Sequence, residues 1–399
     1  MEIPKFKNEA YTDWSKPENR KKQQEAIADL ESRLGTEYPN IIGGERVLSP
    51  NKLKSLNPSD PDQVVGVFQK GTPDAAARAL AEALKAFETW RYVAPVTRAG
   101  YLFKAAKIMR KRRFELNAAE ILEVGKSCPE ADADVAEAID FCEFYAREMI
   151  RYAAAKPAVQ LPGEKDEMVY IPLGAGVIVP PWNFPLAILA GMTGAAIVAG
   201  NTVVLKPSSD SPFVGYKFME VMEEAGLPPG VVNFVSGPGE AVGNTLVTHA
   251  KTRFIAFTGS KEVGIHINSE GSKVQPGQIW LKRIVAEMGG KDSIIVDHET
   301  DLDEAAAGVT VSAFGFQGQK CSACSRVIVD QTIYDEFLEM LVKRAESITV
   351  GPAKELSNYM GPVINKGSME KILGYVETAR KEGGRVVAGG KAADGKGYF

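Results

Sequence analysis

Residues 176–206 read GVIVPPWNFPLAILAGMTGAAIVAGNTVVLK, and the fold follows from how this stretch is punctuated. The apolar residues 176–179 stop at Pro180-Pro181, the uncharged run 184–200 stops at Gly200-Asn201, and the β-branched run 202–205 stops at Lys206-Pro207. Short apolar runs closed by Pro and Gly mark strands buried on both faces, and the Ala- and Gly-rich run between them has the length of a buried helix. It is too short and too rich in small residues for a membrane span. Two more strand-like runs, 231–235 and 254–257, continue the pattern, with helix-like segments entered through Pro, Gly, Ser or Asp. Strand and helix alternating in this way predict right-handed crossovers in a mostly parallel, doubly wound sheet, whose ligands lie at the carboxyl ends of the strands.

Outward from this stretch the pattern changes twice. Beyond Lys291 the alternation resumes, with apolar residues 293–296, a small-residue helix over 305–316 and strand-like residues 327–329, which predicts a second α/β unit. Upstream, from Pro73 to about Ile150, Leu80, Leu84 and Phe87 recur at helical spacing, as do Val135, Ile139, Cys142 and Ala146. That segment is expected to be a helical layer. Residues 153–174 break it with Pro157, Pro162-Gly163, a charged tip at 164–167 and strand-like residues 168–171, the pattern of a hairpin. The first 70 residues or so, punctuated by Gly43-Gly44 and the turn cluster 57–61, read as an N-terminal arm.

Composition narrows the partners. A chain of 399 residues exceeds what one core absorbs, so two or three domains are expected. With 47 basic and 51 acidic residues the net charge is -4, which gives no broad field for nucleic acid or an anionic membrane, and a small molecule is the expected partner. Four cysteines, Cys128, Cys142, Cys321 and Cys324, are too sparse for a disulfide scaffold and fit a reducing compartment. The first twenty residues hold no apolar core of a signal or anchor, so the cytoplasm is the expected location.

Several residues carry chemistry. After the strand ending at Val235, Gly237, Gly239 and Gly243 form a Gly-x-Gly-x-x-x-Gly turn into a helix, where backbone N–H groups suit a phosphate. Its last glycine falls one position late for the usual dinucleotide fingerprint, and such turns often hold nothing. Lys206 is expected at the carboxyl edge of the sheet, either solvated or reaching a ribose hydroxyl or phosphate. Cys321 lies between helix-like and strand-like segments and admits three readings: a buried thiol, a Cys-x-x-Cys redox or zinc pair with Cys324, or a nucleophile. Only His249, His266 and His298 are available as further zinc ligands, none in a ligand-like pair, so no metal is expected. Glu287, a lone acid at the boundary of the two units, is a surface carboxylate beside a turn or a base that activates water on a thioester. Asn183 is a helix cap or an amide donor that holds an oxyanion jointly with the backbone N–H of Cys321.

Taken in order, 181–185 (PWNFP), Lys206-Pro207, 239–243 (GEAVG), 257–260 (FTGS), 287–291 (EMGGK) and 318–321 (GQKC) resemble the motif series of the aldehyde dehydrogenase superfamily over nearly the whole chain. The arm 1–19, the run 130–141 and the nucleophile context 320–325 look like the branch that acts on glutamate γ-semialdehyde. The resemblance implies an α/β fold with two doubly wound, Rossmann-like open parallel sheets plus a small oligomerisation hairpin. It places a dinucleotide-binding domain at 1–152 and 174–285, the hairpin at 153–173 and an incomplete catalytic domain at 286–399. It implies NAD, with NADP possible, and oxidation of the semialdehyde to glutamate through a cysteinyl thioester. Cys321, Glu287 and Asn183 would be catalytic. Pro181, Trp182, Lys206, Ser209, Gly239, Gly243, Thr258, Gly259, Ser260 and Val263 would line the cofactor, and Glu137, Phe184 and Ser322 the substrate. A homo-oligomer is implied as well.

Two departures from the family pattern matter. Ser209 stands where many relatives carry a glutamate that chelates the adenosine ribose, so a 2′-phosphate is not excluded. The chain also ends at Phe399, before the segments with which the family grips the nicotinamide ribose and the substrate carboxylate. A succinate-semialdehyde type of enzyme, or a dinucleotide-binding assembly protein without catalysis, are the competing expectations.

Overall fold

Strands buried on both faces need helices above and below them, and that requirement organises the molecule. The computed structural model describes residues 4–154 and 156–399. Its main sheet has seven strands. Five are parallel, running Arg283–Glu287, Phe254–Thr258, Ala175–Val179, Thr202–Leu205 and Val232–Phe234 across the sheet. Four of these match the runs read from the sequence. The fifth, Arg283–Glu287, carries the sheet through Glu287, two residues past the boundary expected at 285.

The arm is more ordered than its composition suggests. It holds a helix, Pro17–Glu31, and two short antiparallel strands, Asn40–Ile42 and Glu45–Val47, the first of which pairs antiparallel with Val232–Phe234 and so extends that edge of the sheet. Asn40 makes the join specific, because its side-chain oxygen accepts from both the amide and the hydroxyl of Ser236. The turn cluster at 57–61 connects a further hairpin, Lys52–Asn57 with Asp60–Gln69. Residues 1–3, at the start of the arm, lie outside the described residues.

The expected helical layer is four helices: Pro73–Trp90, Pro95–Lys111, Arg113–Val124 and Cys128–Ala153. Thr72 caps the first through Ala75 N, with Pro73 at the opening position where a missing N–H costs nothing. The uncharged run becomes the helix Ala187–Val198, walled in by the main core, and no helix among the described residues is long and apolar enough to cross a membrane.

The expected hairpin is not formed. Residues 156–173 carry no strand; Gln160 brackets the backbone of Asp166 instead, and Val159, Val169 and Ile171 are exposed. A strand needs a ladder partner, and among the described residues no segment offers one to residues 168–171. Residue 155, within the expected hairpin, lies outside the described residues. The second unit is a parallel pair, Asp292–Val296 with Cys324–Val329, packed by Leu302–Phe314 and Tyr334–Glu346 around Val296, Ala306, Val309 and Phe337.

Candidate active site

The five parallel strands end along one edge, and Thr258, Glu287 and the residues after Val179 and Leu205 stand there. Thr258 is the register partner of Glu287, Phe257 of Val179, and Leu205 of both Ile178 and Phe234. The chain leaves Ala175–Val179 for Thr202–Leu205 on one side and pairs with Phe254–Thr258 on the other, so a switch point opens above Val179.

Lys206, the residue after Leu205, is buried, and its Nζ donates to the carbonyl of Pro207 at 3.1 Å. The solvated alternative is therefore excluded. Burial without a carboxylate partner pulls the ammonium down to about 8. Gly243 lies against the Lys206 stem, and a Cβ added at Gly239 would meet nothing within 4 Å. Residues Gly239–Gly243 form a π-turn that runs into the helix Asn244–Thr248. Ser209 is exposed, with its hydroxyl 3.5 Å from Gly237 O. Ser260 caps Lys261–Ser272 through Val263 N, and exposed Val263 sits in that first turn, next to half-buried Gly259 and Thr258. An open glycine-lined edge with a buried amine that has no carboxylate partner fits a dinucleotide's phosphates and ribose hydroxyls.

The loop that carries Cys321 has an unusual backbone. After Leu302–Phe314 the chain passes through Phe316 (φ 45°), Gln317 (φ 57°) and Gly318 (φ 67°). Two side-chain-bearing residues in the left-handed region cost about 1–3 kcal/mol each and persist only if their surroundings hold them. Phe316 is buried with Val124, Ile364 and Trp182, whose ring meets it edge-on at 6.3 Å. Gln317 donates to the carbonyls of Gly125 and Pro362, and Gln319 Oε1 accepts from Ile364 N.

Held in this way, Cys321 is exposed and carries a free thiol. Cys324 is buried at the start of the next strand with its thiol 3.3 Å from Arg326 O, so the two sulfurs are not joined. Two hydrogen bonds fasten the loop to the sheet edge. Asn183 Nδ2 donates to Gln319 O at 2.8 Å, and Gly290 N donates to Cys321 O at 3.2 Å. The helix-cap alternative for Asn183 fails, because the helix opens at Ala187 and the amide of Ala187 is capped by Asp134 instead. Glu287 is exposed at a strand end rather than set beside a turn or in a dry crevice.

Around the loop, Lys320 pairs with Glu130 at 2.8 Å. Glu137, on Cys128–Ala153, is half-buried; burial first and the neighbouring Asp134 second hold its carboxyl above the usual range. Phe184 is half-buried, Ser322 exposed beside Cys321, and Pro181 buried. Lys126, Glu120 and Asp134, buried beneath this region, gave no sequence signal beyond the Gly125-Lys126 break between helices.

The arrangement of sheet, switch point and thiol belongs to a known class. The aldehyde dehydrogenase family model matches residues 47–399, and the chain belongs to that family. A 1-pyrroline-5-carboxylate dehydrogenase from Geobacillus thermodenitrificans is 50% identical over 397 residues, which cover 100% of this chain and 77% of the relative. The structure of a Thermus 1-pyrroline-5-carboxylate dehydrogenase with bound NAD superposes with a TM-score of 0.98 at 49% identity, covering 100% of this chain and 77% of that one. A Δ-pyrroline-5-carboxylate dehydrogenase from Mycobacterium tuberculosis gives 0.92 at 29% identity, with 100% and 75% covered.

Proposed function

We propose that this chain oxidises L-glutamate γ-semialdehyde, the open form of 1-pyrroline-5-carboxylate, to L-glutamate with NAD, a step of proline breakdown. The observation that carries the reading is the fastening of an exposed thiol, Cys321, to the strand ends bearing Asn183 and Glu287, in a chain half identical to enzymes of that name.

The Cys321 thiolate attacks the aldehyde carbon, forming a C–S bond and an oxyanion. Asn183 has two N–H donors; Gln319 O takes one, which leaves the other to face that oxygen with the Cys321 amide. NAD held along Pro181, Trp182, Lys206, Gly239, Gly243, Thr258, Gly259, Ser260 and Val263 supplies a hydride acceptor. Glu287 takes a proton from the water that cleaves the thioester, releasing the carboxylate and the thiol. Glu137 receives the substrate ammonium, whose charge offsets the burial that makes ionisation costly. Phe184 packs on the methylene chain, and the Ser322 hydroxyl donates to the carboxylate.

The exposed apolar residues of 159–173 supply a face for self-association, and four free thiols suit a reducing cytoplasm. The test is NADH formation from pyrroline-5-carboxylate. Faster turnover with succinate semialdehyde would move the chain to another branch of the family. Cofactor binding without any turnover would leave a non-catalytic protein.

A further inference from the structure

Beneath the nucleophile loop lies a buried ionic cluster that the proposed chemistry does not use. Lys126 is fully buried, with its Nζ 2.5 Å from Asp134 and 3.1 Å from Glu120. The same ammonium lies over two aromatic rings, 4.5 Å from the centroid of Phe184 and 5.1 Å from that of Phe316. Asp134 faces Lys126 with one oxygen and accepts the amide of Ala187 with the other at 2.8 Å, setting the end of the loop that begins at Asn183. Burial and the neighbouring Asp134 hold the Glu120 carboxyl well above the usual range.

The two left-handed residues of the loop are gripped by two consecutive residues. Gln317 bonds to the carbonyl of Gly125, and the Phe316 ring receives the ammonium of Lys126. An apolar side chain at 126 would fill the space between the rings, but it would neither bind Asp134 nor prefer the ring faces. A cation is attracted to those faces and fixes their orientation.

We propose that Lys126 is a positioning residue: anchored by Asp134 and Glu120, it holds Phe316, and with it the strained turn before Cys321, in register with Phe184 and the Asn183 loop. It acts through these neighbours and touches no reacting atom. The proposal rests on the reading of Cys321 as the nucleophile that meets an aldehyde.

The experiment compares wild type with Lys126→Met and with the triple variant Lys126→Met, Asp134→Asn, Glu120→Gln, which leaves no unpaired buried charge; the Kd for NAD reports whether each variant is folded. The first-turnover rate of NADH formation from pyrroline-5-carboxylate is expected to fall about tenfold or more in the triple variant, with the Kd for NAD within about twofold. A first turnover equal to wild type overturns the proposal. So does equal loss of NAD affinity and turnover, which marks a general structural lesion. If wild type itself shows no activity with pyrroline-5-carboxylate, the functional reading fails separately. The rate of Cys321 alkylation by iodoacetamide then decides: a change of about threefold or more in the triple variant supports the role of Lys126, and no change ends it.

Discussion

At Lys206, burial removes water from an ammonium whose one hydrogen bond goes to the carbonyl of its neighbour. A ligand oxygen at that edge gains more from a proton donor there than it would in water. The Kd for NAD is therefore expected to rise as pH passes about 8, where Lys206 loses its proton, and to be weak and flat in Lys206→Met; titration calorimetry across pH measures both. Stability moves the other way. The folded group titrates near 8 and the unfolded one near 10.5, so between these values the unfolded chain binds more protons, and stability rises with pH there. Lys206→Met removes that rise in urea unfolding. For Glu287→Gln, an amide takes no proton from water, so acylation survives while thioester hydrolysis slows. Rapid-mixing kinetics should show an NADH burst followed by a steady rate lower by about 10²–10⁴-fold, and equal loss of both phases would remove Glu287 from the role of base.

Elements, unlike residues, are held by what neighbouring elements supply. Pro212–Glu224 begins without a cap of its own; its first amides, Phe213 N and Val214 N, donate to Glu123 from Arg113–Val124 at 2.7 Å each. The nucleophile turn depends in the same way on Gly125 and Pro362, elements distant in sequence. Gln317→Ala leaves those two carbonyls without their donor. It is expected to destabilise the chain by about 1–3 kcal/mol in urea unfolding and to slow Cys321 chemistry while NAD affinity holds. No periodicity marks such bonds. A turn like 315–321 looks in sequence like any Gly-rich connection, whereas helices such as Cys128–Ala153 announce themselves by Val135, Ile139, Cys142 and Ala146.

Across the whole molecule, the segment 156–173 leaves Val159, Val169 and Ile171 more than 70% exposed, on a chain whose net charge of -4 repels a second copy only weakly. Paired with a partner's edge, residues 168–171 would acquire the ladder that this chain does not supply. The double change Val169→Lys, Ile171→Lys is expected to shift sedimentation toward the single-chain mass with the unfolding midpoint little altered. Unchanged sedimentation would remove this segment as a face for self-association.

From its residues alone, the chain declared the four strands over 175–258, the helix Ala187–Val198 and the functional edge above them, because apolar period and Pro–Gly punctuation are local properties. It also displayed Cys321, Asn183 and Glu287 as candidates, each with a plain alternative that sequence left standing. Tertiary structure removed the helix-cap reading of Asn183 and the buried and paired readings of Cys321. Burial of Lys206, the bond from Asn183 to Gln319, the strand that ends at Glu287 and the ionic cluster under Phe316 all depend on groups far apart in the chain. Charge, desolvation and hydrogen bonding act through space, and only the folded chain sets those distances.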